Sequence, residues 1–124
     1  MVENIRKIAR SFSHAIDGLA YAAKRERNFQ IELLFGFLVL VLILVFKVKN
    51  WEAVVLILMV AGVLITELAN TVVERVVDML KPKVHPYARL IKDIMAAVVL
   101  ISSFVAALVG VIIFYPYVRE LLGL

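Results

Sequence analysis

The 124-residue sequence contains no cysteine. That excludes a disulfide framework, a thiolate metal site and a cysteine nucleophile. Proline occurs three times, glycine five times and histidine twice. Every glycine is isolated, so neither a GxxxxGK[ST] nor a GxGxxG phosphate loop is present. A nucleotide site would have to be built from side chains and metal alone. Charged residues make up only 19% of the chain and hydrophobic ones 64%, against roughly half in a soluble domain. Mean hydropathy is +0.98. A disordered chain and an ordinary water-soluble enzyme are both excluded.

Charge is missing altogether from residues 33–46, 53–66 and 94–118. The third stretch can cross a bilayer unaided. The first two become 20-residue spans, 29–48 and 51–70, if each takes in one glutamate near an end, Glu32 and Glu67. So short and apolar a chain cannot bury three such segments in a water-soluble core. The expected fold is an all-α membrane protein with spans at 29–48, 51–70 and 94–118. The first apolar segment starts too far in, and lacks a small-residue cleavage site, for a cleavable signal.

Of the fourteen Lys and Arg residues, eleven precede the first span or lie between the second and third. Only Lys47, Lys49 and Arg119 fall on the other side. The positive-inside rule then predicts a cytoplasmic N-terminus, a cytoplasmic loop at 75–93 and a C-terminus outside. The net charge of +4 is therefore topological, with attraction to anionic lipid, and no nucleic-acid partner is expected. Within residues 1–27, Ile5, Ile8, Phe12, Ala15, Ile16 and Leu19 share one helical face, with Arg6, Lys7, Arg10, Ser13 and Asp17 on the rest. A basic amphipathic helix beside a membrane lies in the interface, as an anchor or as a wall of a site. Pro82 should stop the second span helix, Pro86 suits the start of the third, and Pro116 is expected to end or kink it. Ala61, Gly62, Ala96, Ala97, Ala106, Ala107 and Gly110 are small enough for close helix contacts.

On a helix, Asn70, Thr71, Glu74 and Asp78 fall within about 60° of Glu67. A carboxylate at the edge of a span is a functional candidate by default. Glu26 precedes the first span, and Lys92-Asp93 opens the third on the same side. The three helix ends can thus bring Glu26, Glu67, Glu74, Lys92 and Asp93 together. Carboxylates suit a hard cation such as Mg²⁺, a lysine suits a phosphate, and a remaining carboxylate suits a general base. Those are the parts of a phosphoryl-transfer site. Three helices cannot enclose such a site alone, so an oligomer is expected. The rival readings are a small multidrug or ion transporter, which wants its acid near the midplane, and a pore-forming or scaffold protein, which needs no such alignment.

The pattern Glu67-x-x-Asn70-Thr71-x-x-Glu74-x-x-x-Asp78, followed by Lys92-Asp93 and preceded by Glu26-Arg27-Asn28-Phe29, resembles the prokaryotic diacylglycerol kinase and undecaprenol kinase family. The resemblance covers nearly the whole chain. It implies a homotrimer in the bacterial cytoplasmic membrane that phosphorylates the hydroxyl of a membrane lipid with ATP and Mg²⁺, at sites shared between subunits. It implies Glu67 as general base supported by Asn70. Glu26 and Glu74 would ligate the Mg²⁺ that accompanies ATP, Lys92 would hold the phosphates, and Asp93 would orient Lys92. Lys83, Val84 and His85 would contact the nucleotide. So would a basic residue of the N-terminal helix, by alignment Lys7, with Arg6 and Arg10 as alternatives. Asn28, Phe29 and Glu32 would line the lipid's path. The diacylglycerol branch typically follows its K-D pair with Met-Gly-Ser, whereas here Ile94-Met95-Ala96-Ala97 follows. Ala96 lacks a hydroxyl for a glycerol headgroup, so undecaprenol is favoured over diacylglycerol as the lipid substrate.

Overall fold

A computed structural model describes residues 1–80 and 86–124. Four helices make up the described residues: α1 (Val2–Arg25), α2 (Arg27–Phe46), α3 (Asn50–Met79) and α4 (Pro86–Leu121). The last three are long and apolar enough to cross a membrane. Each change of direction has a local cause. Glu26 alone separates α1 from α2, with extended torsions of φ −100° and ψ 107°. The break is well satisfied. Glu26 N–H donates to Ala22 O at 2.9 Å, Gln30 N–H to Glu26 O at 3.0 Å, and the Gln30 side-chain amide to Ala23 O at 3.0 Å. At the far end of α2, Lys47 adopts the left-handed conformation (φ 49°, ψ 48°) that closes a helix, and Val48 tucks in behind it, buried. Glu52 then accepts from Lys49 N–H at 3.0 Å and caps the start of α3.

The helices therefore run up and down, with α3 packed on α4 and, less extensively, on α2, while α1 touches α2. One end of the bundle carries the α1–α2 junction, the C-terminal part of α3 and the start of α4. The other carries the Lys47 turn and the end of α4. The α2–α3 seam is close: a Cβ on Gly36 would sit 2.8 Å from Val60 Cγ1. The close approach falls at Gly36 and not at Gly62 or Gly110, where a Cβ would meet nothing within 4 Å. Thr66 Oγ1 links α3 to Ser102 Oγ on α4 at 3.2 Å.

Very little is buried. Ala22, Phe29, Val48, Leu56, Val77 and Ile113 are the covered apolar side chains among the described residues, while Leu34, Phe35, Phe37, Leu44, Ile65, Leu100 and Phe104 are open. A surface this apolar is stable only against lipid or further protein. The N-terminal stripe Ile5, Ile8 and Phe12 is likewise uncovered. The start of α4 at Pro86 is the expected one, and Pro116 does not end the helix. Helix α3 continues to Met79 and α4 begins at Pro86, so 75–79 and 86–93, within the segment between the second and third spans, are helical. Pro116 lies inside α4, which runs on to Leu121. It removes a single N–H from the ladder, and the apolar side chains around it still favour a helix in lipid.

Candidate active site

Glu67 sits about 26 Å along α3 from Asn50, near the far edge of a hydrocarbon layer about 30 Å thick. Its side chain is 2% exposed, and its helix neighbours Asn70 and Thr71 are also buried. The rest of the stripe emerges progressively, with Glu74 half-buried and Asp78 exposed. Asn70 and Asn28 lie beside the Glu67 carboxylate, and Glu74 and Glu26 lie close enough to act on its charge. Asn70 also donates to Glu74 Oε1 at 3.5 Å, and Thr71 Oγ1 donates to the Glu67 carbonyl at 3.2 Å. Yet Glu67 Oε2 is buried without a hydrogen-bond partner. Leaving such an atom unpaired is costly, so it calls for an incoming group.

Glu32 repeats the situation one layer deeper. It lies near Glu67, its Oε2 is also buried without a partner, and it borders a groove of about 520 Å³. Gly36 and Val39 of α2, Met59 and Val63 of α3, and Ala106 and Phe114 of α4 line that groove. Glu32 and Ser103 are the polar side chains among its lining residues. An apolar slot with one carboxylate on its lining can hold a chain whose tail is hydrocarbon and whose head is polar.

The structure brings Glu26, Asn28, Glu67, Asn70, Glu74 and Glu32 to one end of the bundle. It does not assemble the other expected residues around them. Lys92 Nζ is paired with Asp78 Oδ1 at 2.6 Å. Asp78, and not Asp93, therefore holds Lys92. Successive residues on a helix point about 100° apart, so Asp93 cannot readily face its neighbour, whereas Asp78 faces it from α3. Lys7 is exposed and pairs with Glu3 at 3.4 Å. It lies about 28 Å along α1 from Glu26, too far to serve this chain's own cluster. Phe29 is 2% exposed, already covered by the chain itself, so it offers a lipid no open surface here. Ala96 is exposed on α4. Lys83, Val84 and His85 lie outside the described residues. Among the described residues, no three Asp, Glu, His or Cys side chains form a ready metal cage. Mg²⁺ asks for less, since it commonly takes one or two carboxylates and completes its shell with phosphate and water. Glu26 and Glu74 suit that donor set.

Arg75 is a contact that sequence reasoning missed. Its guanidinium meets Glu26 Oε1 at 2.5 Å and reaches Tyr21 of α1. Position alone could not reveal this, because Arg75 reads as one more basic residue near the membrane surface.

A buried carboxylate with an unpartnered oxygen, two others close to it and a further glutamate on an apolar groove suit a membrane-embedded enzyme. Residues 13–114 match the sequence model of the family described as prokaryotic diacylglycerol kinase. Over 112 residues the chain is 31% identical to the undecaprenol kinase of Bacillus subtilis, covering 90% of this chain and 91% of that protein. Over 113 residues it is 33% identical to the diacylglycerol kinase of Synechocystis sp., covering 90% of this chain and 65% of that protein. The chain belongs to the prokaryotic diacylglycerol kinase family and is a lipid kinase. The transporter and scaffold readings fall with that assignment.

Proposed function

We propose that the chain transfers the γ-phosphoryl group of ATP, with Mg²⁺, to the hydroxyl of a membrane lipid alcohol at the cytoplasmic face of the bacterial inner membrane. The unpartnered Glu67 Oε2 carries this reading. The groove beside Glu32 takes the lipid's apolar tail and presents its hydroxyl near Asn28 and Glu67. Asn70 and Asn28 hold one side of the Glu67 carboxylate and leave Oε2 as the proton acceptor. As Oε2 takes the hydroxyl proton, the lipid oxygen bonds to the γ-phosphorus and the bond to the departing ADP oxygen breaks. Glu26 and Glu74 would hold Mg²⁺, which when bound would neutralise charge on the phosphates. Lys92 passes from Asp78 to the phosphates, and Lys83, Val84 and His85 contact the nucleotide.

The reach of Lys7 supports an oligomer, which the family resemblance makes a homotrimer. A residue so far from its own cluster contributes to a site only in a neighbouring subunit, and the uncovered helix faces leave room for one. The exposed stripe of α1 supports an interfacial position, and the excess of Lys and Arg on one side supports a cytoplasmic N-terminus and an outside C-terminus. Undecaprenol is the favoured acceptor. Ala96 offers no hydroxyl to a glycerol headgroup, and the undecaprenol kinase relative aligns over more of its length. Diacylglycerol, giving phosphatidic acid, is the alternative.

The test is phosphoryl transfer from labelled ATP in mixed micelles, offering undecaprenol and diacylglycerol together, with Glu67→Gln as control. Transfer to undecaprenol that is lost in the control is expected. Transfer chiefly to diacylglycerol reverses the lipid assignment, and full activity in Glu67→Gln removes Glu67 as the base.

A further inference from the structure

The ion pair between Arg75 and Glu26 occupies the same carboxylate that is assigned to the metal. Its two halves are unequally exposed: the Arg75 side chain is 51% exposed and the Glu26 side chain 16%. The carboxylate is fixed at the α1–α2 break, whereas the guanidinium stands half in solvent and can be relocated at little cost. A divalent cation on Glu26 brings two positive charges to the group that Arg75 contacts. The two cations repel at that distance, and the mobile one moves. The nucleotide that accompanies the metal is an anion arriving beside Glu26, Glu67 and Glu74, and needs cations around it. Arg75 already touches this cluster, and a guanidinium matches phosphate oxygens in paired hydrogen bonds.

We propose that Arg75 is the internal counter-ion of Glu26 in the free protein, and that metal binding transfers it to the polyphosphate of the incoming nucleotide. This rests on the reading of Glu26 as a metal ligand. Arg75 thus holds the carboxylate closed to metal until metal and phosphate arrive together. Its partner Tyr21 keeps the guanidinium beside the site in both states. Tying α1 to α3 is the ordinary alternative, and it makes the opposite prediction for metal.

The experiment measures Mn²⁺ binding to the full detergent-solubilised chain by electron paramagnetic resonance without nucleotide, and then binding of the β,γ-imido analogue of ATP with Mg²⁺. Wild type, Arg75→Gln, Arg75→Lys and Glu26→Gln are compared. Arg75→Gln is expected to bind Mn²⁺ about three- to tenfold more tightly, as suits loss of one partly exposed competing pair, and to bind the analogue more weakly by a similar factor. Arg75→Lys, which keeps the charge, should follow wild type for Mn²⁺. Mn²⁺ binding that is unchanged or weaker in Arg75→Gln, while Glu26→Gln has lost it, overturns the role of Arg75 and leaves the metal site standing. Mn²⁺ binding in Glu26→Gln equal to wild type overturns the metal assignment itself, and the counter-ion role with it.

Discussion

Glu52 and Glu67 lie on the same helix, about 22 Å apart, in opposite circumstances. At the turn end, Glu52 Oε2 accepts from Lys49 N–H and from the Tyr117 hydroxyl, so α4 is latched to the start of α3. Phe46 stacks beside this latch, with ring centres 5.9 Å from Phe114 and 6.0 Å from Tyr117. Even the strained Lys47 torsions are used, since they let Val48 cover the turn. At the other end, Glu67 is more deeply buried, yet one of its oxygens has no partner. Side-chain chemistry does not distinguish the two glutamates. Completeness of pairing does: a satisfied carboxylate ties helices together, and an unsatisfied one keeps an oxygen open to an incoming donor.

The sharpest way to break this contrast is to neutralise each glutamate in turn. Glu67→Gln should lower lipid phosphorylation by about 10²- to 10⁴-fold, the usual worth of a general base. Glu52→Gln should leave turnover within about threefold of wild type, measured in the same micelles. Equal losses would erase the distinction. Next in size is the α2–α3 seam between the two ends. Gly36→Ala drives a methyl into Val60 and should cost about 1–3 kcal/mol, read by denaturant unfolding in detergent. Adding Val60→Ala should restore much of it, whereas Gly62→Ala, with open space around it, should cost nothing comparable. Tyr117→Phe opens the latch and should lower stability by about 1 kcal/mol without changing turnover. Smallest is Ser102→Ala, which deletes the link to Thr66. Its cost should be about 0.6 kcal/mol, typical of hydrogen bonds between membrane helices. A larger loss of turnover than of stability would show that this link helps to hold neighbouring Glu67 in place.

Much of this arrangement was legible in the sequence, for identifiable reasons. Charge is so costly in lipid that the runs 33–46, 53–66 and 94–118 marked three helices without reference to packing. Helical periodicity put Glu67, Asn70, Thr71 and Glu74 on one face, and the same face is the buried one near Glu67. Charge runs mark the membrane part of a helix and not its end, because a helix can leave the membrane without unwinding, as α3 does through Arg75 and Asp78; the prolines were the better guide there. Partners across helices were harder still. The family resemblance set Asp93 beside Lys92, while the structure pairs Lys92 with Asp78 on the facing helix. The preference of Arg75 for Glu26 and the packing of Val60 over Gly36 depend on how two helices rotate about their own axes. No pattern within either helix encodes that rotation.

The one-residue break at Glu26 has a mechanical consequence. Helix α1 is a rod of 24 residues, about 36 Å long, and the torsions of a single residue join it to the first span. A rotation of about 10° at Glu26 sweeps the far tip of that rod through about 6 Å. The fulcrum is thus the residue whose carboxylate Arg75 grips. A change of partner at that carboxylate has a lever arm attached to it, long enough to carry Lys7 across a distance comparable to the width of a phosphate chain.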